Sequence, residues 1–183
     1  MEQVSPQEVE QMLALVSPQR REQALRYKHT LGQFCCLKSW LMLQKELSAI
    51  GYQLSDFSYN EHGKPYMPKG PYFSLSHCKQ GIAVAVSDQP VGIDIEGIRH
   101  AEQDLIERTM NREEQARICS DRDFTRLWTQ KEAVLKAEGT GIESFEQLQG
   151  VLSRLPSDVS LQTIEKDNYI YSIANGKLHC FGA

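Results

Sequence analysis

Val91-Gly92-Ile93-Asp94-Ile95-Glu96 reads as a strand whose alternate positions carry acids. Successive side chains of a strand point to opposite faces, so Asp94 and Glu96 project together from a run that is otherwise Val, Gly and Ile. Just upstream, Ile82-Ala83-Val84-Ala85-Val86 is a buried strand by composition, and Ser87-Asp88-Gln89-Pro90 is turn chemistry. The two runs are predicted to form a hairpin. Helical patterns flank them. Ser5-Pro6-Gln7-Glu8 is a capping-box start, and Ser17-Pro18 is a second start. From there to about Ile50 the apolar residues Leu25, Leu31, Phe34, Leu37 and Leu41 recur at helical spacing, with Gly51 as the stop.

Downstream, residues 102–139 are predicted helical, with a capping box at Asn111 and Glu114 and a stripe of Phe124, Leu127, Trp128 and Leu135 ending at Gly139. The segment from Glu143 onward reads as strand-rich, and Asn175-Gly176 signals a hairpin returning through Lys177 to Phe181. Asn60-Glu61-His62-Gly63 is a turn. The class is α+β.

A chain of 183 residues, 40% hydrophobic and 24% charged, can build a core as one domain or two small ones. A formal net charge of -4 argues against a nucleic-acid partner, which draws a basic surplus. No apolar run approaches the roughly 20 residues that span a bilayer. The polar, acidic stretch Met1 to Glu10 does not read as a signal peptide, so a cytoplasmic location and no membrane partner are expected. Five cysteines with no C-x-x-C pair fit reduced thiols rather than a zinc site.

Burying two carboxylates side by side is costly unless something neutralises them. A hard divalent cation such as Mg²⁺ does so, taking one or two carboxylates plus phosphate oxygens. The plainer alternative is that one acid faces solvent or pairs with a lysine. Glu132 and Lys136 lie four apart on a predicted helix, the spacing of an ordinary surface pair worth a few tenths of a kcal/mol. Their setting is less ordinary: Lys131 is adjacent, Trp128 lies one turn back and Gly139-Thr140-Gly141 follows. In Ser74-Leu75-Ser76-His77 the two serines share a strand face and His77 takes the other. Lys64, between a turn and Pro65, is either a fixed phosphate-binding ammonium or a solvated turn residue.

Taken in order, Gly63-Lys64-Pro65, Ser76-His77, Gly92-Ile93-Asp94-Ile95-Glu96 and Trp128-x-x-Lys131-Glu132-Ala133-x-x-Lys136-x-x-Gly139 resemble the 4′-phosphopantetheinyl transferase superfamily. The likeness is to its larger, surfactin-type (Sfp-like) branch and covers roughly residues 17–142. It implies two similar α+β halves related by a pseudo-twofold axis. These would be residues 1–88, contacting coenzyme A, and residues 89–183, carrying the metal and catalytic residues, with the site between them in a monomer.

The resemblance implies Asp94, Glu96 and Glu132 as ligands of Mg²⁺ (or Mn²⁺). Glu132 would be the base and Lys136 the cation on the bridging or leaving oxygen. Lys64, His77 and Ser76 would lie at the phosphates of coenzyme A, and Arg20 at its 3′-phosphate. The implied activity moves phosphopantetheine from coenzyme A to a serine of an apo acyl or peptidyl carrier protein, releasing adenosine 3′,5′-bisphosphate.

The chain departs from the family pattern at Ser74 and Cys78. It also departs at Cys35-Cys36, where an arginine and a hydroxyl residue are common near the nucleotide. Competing readings are a metal-dependent nuclease or phosphatase, a Ser-His-Asp hydrolase that lacks its Gly-x-Ser-x-Gly elbow, and a decayed homologue that binds carrier proteins without turnover.

Overall fold

A computed structural model describes residues 4–53 and 57–176. Helix α1 (Pro6–Leu13) starts where the capping box requires: the Ser5 hydroxyl accepts from the Glu8 N–H at 3.3 Å and the Glu8 carboxylate accepts from the Ser5 N–H at 2.8 Å. Helix α2 (Pro18–Leu25) is capped by Ser17 in the same sense. The helical run expected from Ser17 to Ile50 is interrupted, because α2 ends at Leu25 and α3 spans Thr30–Ala49. Tyr27 turns back onto the start of α3, where a Cβ on Gly32 would lie 2.8 Å from its ring and the Gln33 amide donates to its carbonyl at 3.0 Å. That local fold-back breaks the periodicity.

Short strands β1 (Ser58–Tyr59) and β2 (Pro65–Tyr66) pair across the predicted turn. Strand β3 (Tyr72–His77) pairs antiparallel with β4 (Ile82–Ser87). Strand β5 (Val91–Gly97) opens the second part of the chain, followed by α4 (Gln103–Thr109), α5 (Arg112–Gln115), α6 (Asp121–Glu138) and α7 (Phe145–Gly150). Strands β6 (Ser160–Glu165) and β7 (Tyr169–Asn175) close it, in the sheet order β5-β7-β6.

The expected hairpin between the Ile82 and Val91 runs does not form. Strand β4 pairs with β3 and β5 with β7, so Ser87 to Pro90 is a crossover between sheets. The free edge of β5 is instead met by side chains, with the hydroxyls of Ser74 and Ser76 accepting from the N–H groups of Ile93 and Ile95 at 3.1 and 3.3 Å. Strand β4 is half-buried along its length, not fully buried as its composition suggested. The segment from Glu143 is not all strand, since Ser144 caps α7 and Leu148 and Val151 anchor it. The return strand expected after Asn175-Gly176 lies outside the described residues.

One hydrophobic core gathers α1, α2 and α3 against Phe73 around Leu37, Trp40, Leu43 and Leu47. Two further clusters lie around α6 in the second part of the chain, one with Ala133, Leu135 and Leu148 and one with Met110 and Phe124. Fold class and helix–strand content are α+β, as expected.

Candidate active site

Gly92 decides how the site is built. A Cβ there would lie 1.9 Å from the Ala133 carbonyl oxygen and 2.4 Å from the Ala137 nitrogen, so only glycine lets α6 approach β5 this closely. Asp94 and Glu96 share the face of Gly92 and are therefore presented to α6. Lys136, one turn from Ala133 and next to Ala137, reaches across the interface.

Its ammonium donates to Asp94 Oδ1 at 2.6 Å and to Ser76 Oγ at 3.0 Å, and Ser76 Oγ donates to the same Oδ1 at 2.8 Å. The ion pair of Lys136 is thus with Asp94, not the bland helix-surface pair with Glu132. Asp94 is 3% exposed, and its Oδ2 is buried without a hydrogen-bond partner. Glu96 and Glu132 crowd the same charge. Burial first, then the neighbouring Asp94, pushes both carboxyls above the usual carboxylate range.

Among the described residues no group of three His, Cys, Asp or Glu side chains stands in a metal-holding arrangement. The donors nevertheless suit a hard cation: an orphaned carboxylate oxygen beside two carboxyls whose ionisation is resisted by burial and by the neighbouring Asp94.

A cleft of about 290 Å³ opens beside this pair, and Arg20, Lys64, His77 and Lys136 all line it. Four of the side chains that the sequence assigned to phosphates therefore meet in one place, drawn from α2, the turn before β2, β3 and α6. Arg20 is 4% exposed. Its guanidinium lies 3.8 Å over the Trp40 ring and donates to Gln23 Oε1 at 2.6 Å and Cys36 Sγ at 3.8 Å, while its Nε has no partner. Cys36, at the position that departs from the family pattern, faces this cleft.

The Lys64 ammonium is no solvated turn group. It donates to the carbonyls of Val91, at 3.3 Å, and Lys136. Burial and the nearby Lys136 charge lower it to about 8. Burial, then Lys136, likewise lowers His77, whose ring meets the edge of Tyr27 with centroids 6.2 Å apart. Ser76 is turned inward to Asp94, and Ser76, Asp94, Glu96 and Glu132 are not among the residues lining the cleft.

The structural roles of two residues escaped the sequence reading. Asn60 donates from Nδ2 to the Gly139 carbonyl at 2.8 Å, joining the β1–β2 turn to the end of α6. Its only sequence signal was the turn it opens. Lys131 is fully buried and donates to Thr109 O at 2.9 Å, Leu148 O at 2.7 Å and Glu114 Oε2 at 2.6 Å. Its spacing from Phe124, Leu127 and Leu135 put it inside the apolar stripe, and that was the clue to burial.

Arg20, Lys64 and Lys136, lining one cleft beside a cluster of buried acids, provide a chemistry suited to an anionic ligand. Comparison with known proteins gives the family. The family model described as "4′-phosphopantetheinyl transferase superfamily" matches residues 90–177. The 4′-phosphopantetheinyl transferase Sfp of Bacillus subtilis is 32% identical over 151 residues, covering 76% of this chain and 67% of that protein. The 4′-phosphopantetheinyl transferase AcpT of Salmonella typhi is 35% identical over 140 residues, covering 70% and 71%. A further Bacillus subtilis 4′-phosphopantetheinyl transferase is 27% identical over 191 residues, covering 97% of this chain and 80% of that protein. The chain belongs to the 4′-phosphopantetheinyl transferase superfamily, in its Sfp-like branch, and is a transferase.

Proposed function

We propose that this protein transfers the 4′-phosphopantetheine group of coenzyme A to a serine of an apo carrier protein and releases adenosine 3′,5′-bisphosphate. The observation that carries this reading is the convergence of Arg20, Lys64, His77 and Lys136 on one cleft beside the acid pair on β5. Residues 1–88 supply the first three of these groups, and residues 89–183 supply Lys136 with the carboxylates.

In the reaction the serine Oγ forms a bond to the β-phosphorus, and the bond from that phosphorus to the bridging oxygen breaks. Arg20, held flat on Trp40, binds the 3′-phosphate, while Lys64 and His77 hold the diphosphate. Ser76 orients Asp94 and Lys136 through its hydroxyl. Asp94, Glu96 and Glu132 would hold Mg²⁺ or Mn²⁺, which supplies charge neutralisation on the diphosphate. The Lys136 ammonium then moves from Asp94 to the leaving oxygen, where negative charge develops. Glu132, whose carboxyl burial and then the neighbouring Asp94 push up, takes the serine proton.

An acyl or peptidyl carrier protein is the partner, and the protein acts as a cytoplasmic monomer. Among the described residues no helix is long and apolar enough to cross a membrane.

Intact-mass measurement of an apo acyl carrier protein incubated with this protein, coenzyme A and Mg²⁺ tests the reading. The expected result is a gain of one phosphopantetheine unit, abolished by EDTA and by Asp94→Ala. No gain with retained coenzyme A binding would instead establish a binder without turnover.

A further inference from the structure

The β1–β2 turn and the end of α6 lie far apart in sequence and both line the cleft, the turn through His62, Gly63, Lys64 and Pro65 and the helix end through Lys136 and Gly139. What joins them is polar. The Asn60 side chain closes its own turn, with Oδ1 accepting from the N–H groups of His62 at 3.1 Å and Lys64 at 2.8 Å. The turn backbone adds Asn60 N–H to the Lys64 carbonyl and Gly63 N–H to the Asn60 carbonyl, both at 3.0 Å. The other end of the same amide, Nδ2, donates to the carbonyl of Gly139, the left-handed residue that terminates α6.

The last carbonyls of a helix have no partner within it. Here the turn supplies one for Gly139 through Asn60 and one for Lys136 through the Lys64 ammonium. The rest of its anchorage is sparse: β1 and β2 are each two residues long, Glu61, His62 and Gly63 are exposed, and the other ties are the Tyr59 hydroxyl to Gln23 Oε1 at 3.1 Å, the Lys64 ammonium to the Val91 and Lys136 carbonyls, and His62 beside Glu143 at 3.6 Å. By contrast, α6 is packed on β5 and β7, buries Ala133 and Leu135 completely, and keeps its place without the turn.

We infer that Asn60 is a positioning residue: by tying the β1–β2 turn to the end of α6 it sets the width of the donor cleft, without itself touching the reacting atoms. This rests on the reading of the cleft as the coenzyme A site. If the tie is cut, the turn keeps its contacts through Tyr59, Lys64 and His62 but loses its hold on Gly139, and the freedom it gains must be given up at each binding event, which weakens binding rather than chemistry. Lys136, Asp94 and Ser76 stay where α6, β5 and β3 put them.

Asn60→Asp separates the two functions of the amide. A carboxylate keeps the acceptor for His62 and Lys64 but has no donor for Gly139. The KM for coenzyme A should rise about fivefold or more, the size of one lost hydrogen bond, with kcat within about twofold. The melting temperature should change little, and amide hydrogen exchange should quicken at residues 60–64 but not within α6. Asn60→Ala, which also loses the turn bonds, should raise the KM further with the same split. The inference is overturned if Asn60→Asp leaves both the KM and the exchange at 60–64 unchanged, or if kcat and melting temperature fall together without a KM effect. If the wild-type protein fails to bind coenzyme A in calorimetry, the cleft reading fails on its own, and the exchange experiment still decides the tie.

Discussion

Helix α6 carries two lysines five positions apart, each within 2.6 Å of a carboxylate, and they have opposite uses. Lys131 is 0% exposed, and its three N–H donors are all taken, by Glu114 and two backbone carbonyls. It fastens α4, α5 and α7 to α6 and has nothing left to offer a ligand. The Lys136 side chain is 28% exposed, bonds Ser76 and Asp94, and opens onto the cleft. A buried unpartnered oxygen does not separate them, since Glu114 Oε1 is as orphaned as Asp94 Oδ2. The distinction is whether the cation is saturated by the protein and whether a void lies beside it. A lysine–carboxylate pair is a strut where the cation is saturated and no void adjoins it, and a working part where a donor is left over and a void lies beside it.

The comparison breaks most visibly when each pair is cut. Asp94→Ala and Lys136→Ala should each lower the rate of carrier-protein modification by at least about 10²–10³-fold, the scale of one lost electrostatic contact to a transition state. Their far-ultraviolet spectra should stay native. Lys131→Met should do the reverse. Removing one partner of a buried pair costs about 3–5 kcal/mol, so the urea midpoint should fall sharply while the activity of the still-folded fraction is largely kept. Glu114→Leu added to Lys131→Met should recover much of that stability, because no charge is then left buried. No second substitution at Asp94 restores activity to Lys136→Ala. If Lys131→Met proves stable but inactive, the two lysines are not divided as stated.

The sequence made one of these lysines legible and hid the other. Asp94 and Glu96 stood out because two acids on one face of an apolar strand are chemically uncomfortable without a purpose, whereas Glu132 and Lys136 read alone as an ordinary surface pair and were singled out by the family resemblance. Helix ends were also legible, since Ser5, Ser17, Asn111 and Gly139 cap where their chemistry says. Pairing of strands was not. The turn Ser87 to Pro90 looks local, but β5 finds its ladder in β7 at the far end of the chain, and its other edge is bridged by two serine hydroxyls. Side-chain hydroxyls standing in for a ladder leave no periodic trace. Lys131 was hidden for a related reason: its partners, Thr109, Glu114 and Leu148, come from three other helices that only the fold brings together.

Gly92 sharpens the comparison from the other side of α6. Gly92→Ala would drive a Cβ into the Ala133 and Ala137 backbone, and backbone cannot rotate away as a side chain can. Overpacking of this kind costs about 1–3 kcal/mol, so a moderate fall in melting temperature is expected. The informative readout is the ratio of two losses. Displacing α6 from β5 lengthens the contact of Lys136 with Asp94, but Lys131 moves with its helical neighbours, so transfer should fall by about tenfold or more beyond what the unfolded fraction explains. An equal fall in both would mean that the Asp94–Lys136 geometry is not set by this close approach.

Lys64 gives the smallest and most specific effect. Its ammonium is lowered to about 8 by burial and then by Lys136, so it is charged below that pH and neutral above it. Between pH 8 and the ordinary lysine range the native chain has released this proton while the unfolded chain still holds it. The burial penalty on folding is therefore complete below pH 8 and is relieved as the pH rises through that window. Binding runs the other way, because a phosphate needs the charged form. The kcat/KM for coenzyme A should fall as the pH passes about 8, by at most about tenfold per pH unit, while thermal stability loses nothing from this group over the same interval. Lys64→Met should have a lower kcat/KM throughout and no limb near pH 8. Because kcat/KM reports groups of the free enzyme, a wild-type profile flat across pH 8, or one whose limb survives in Lys64→Met, would remove Lys64 from the phosphate contacts and leave it only the carbonyls at the end of α6.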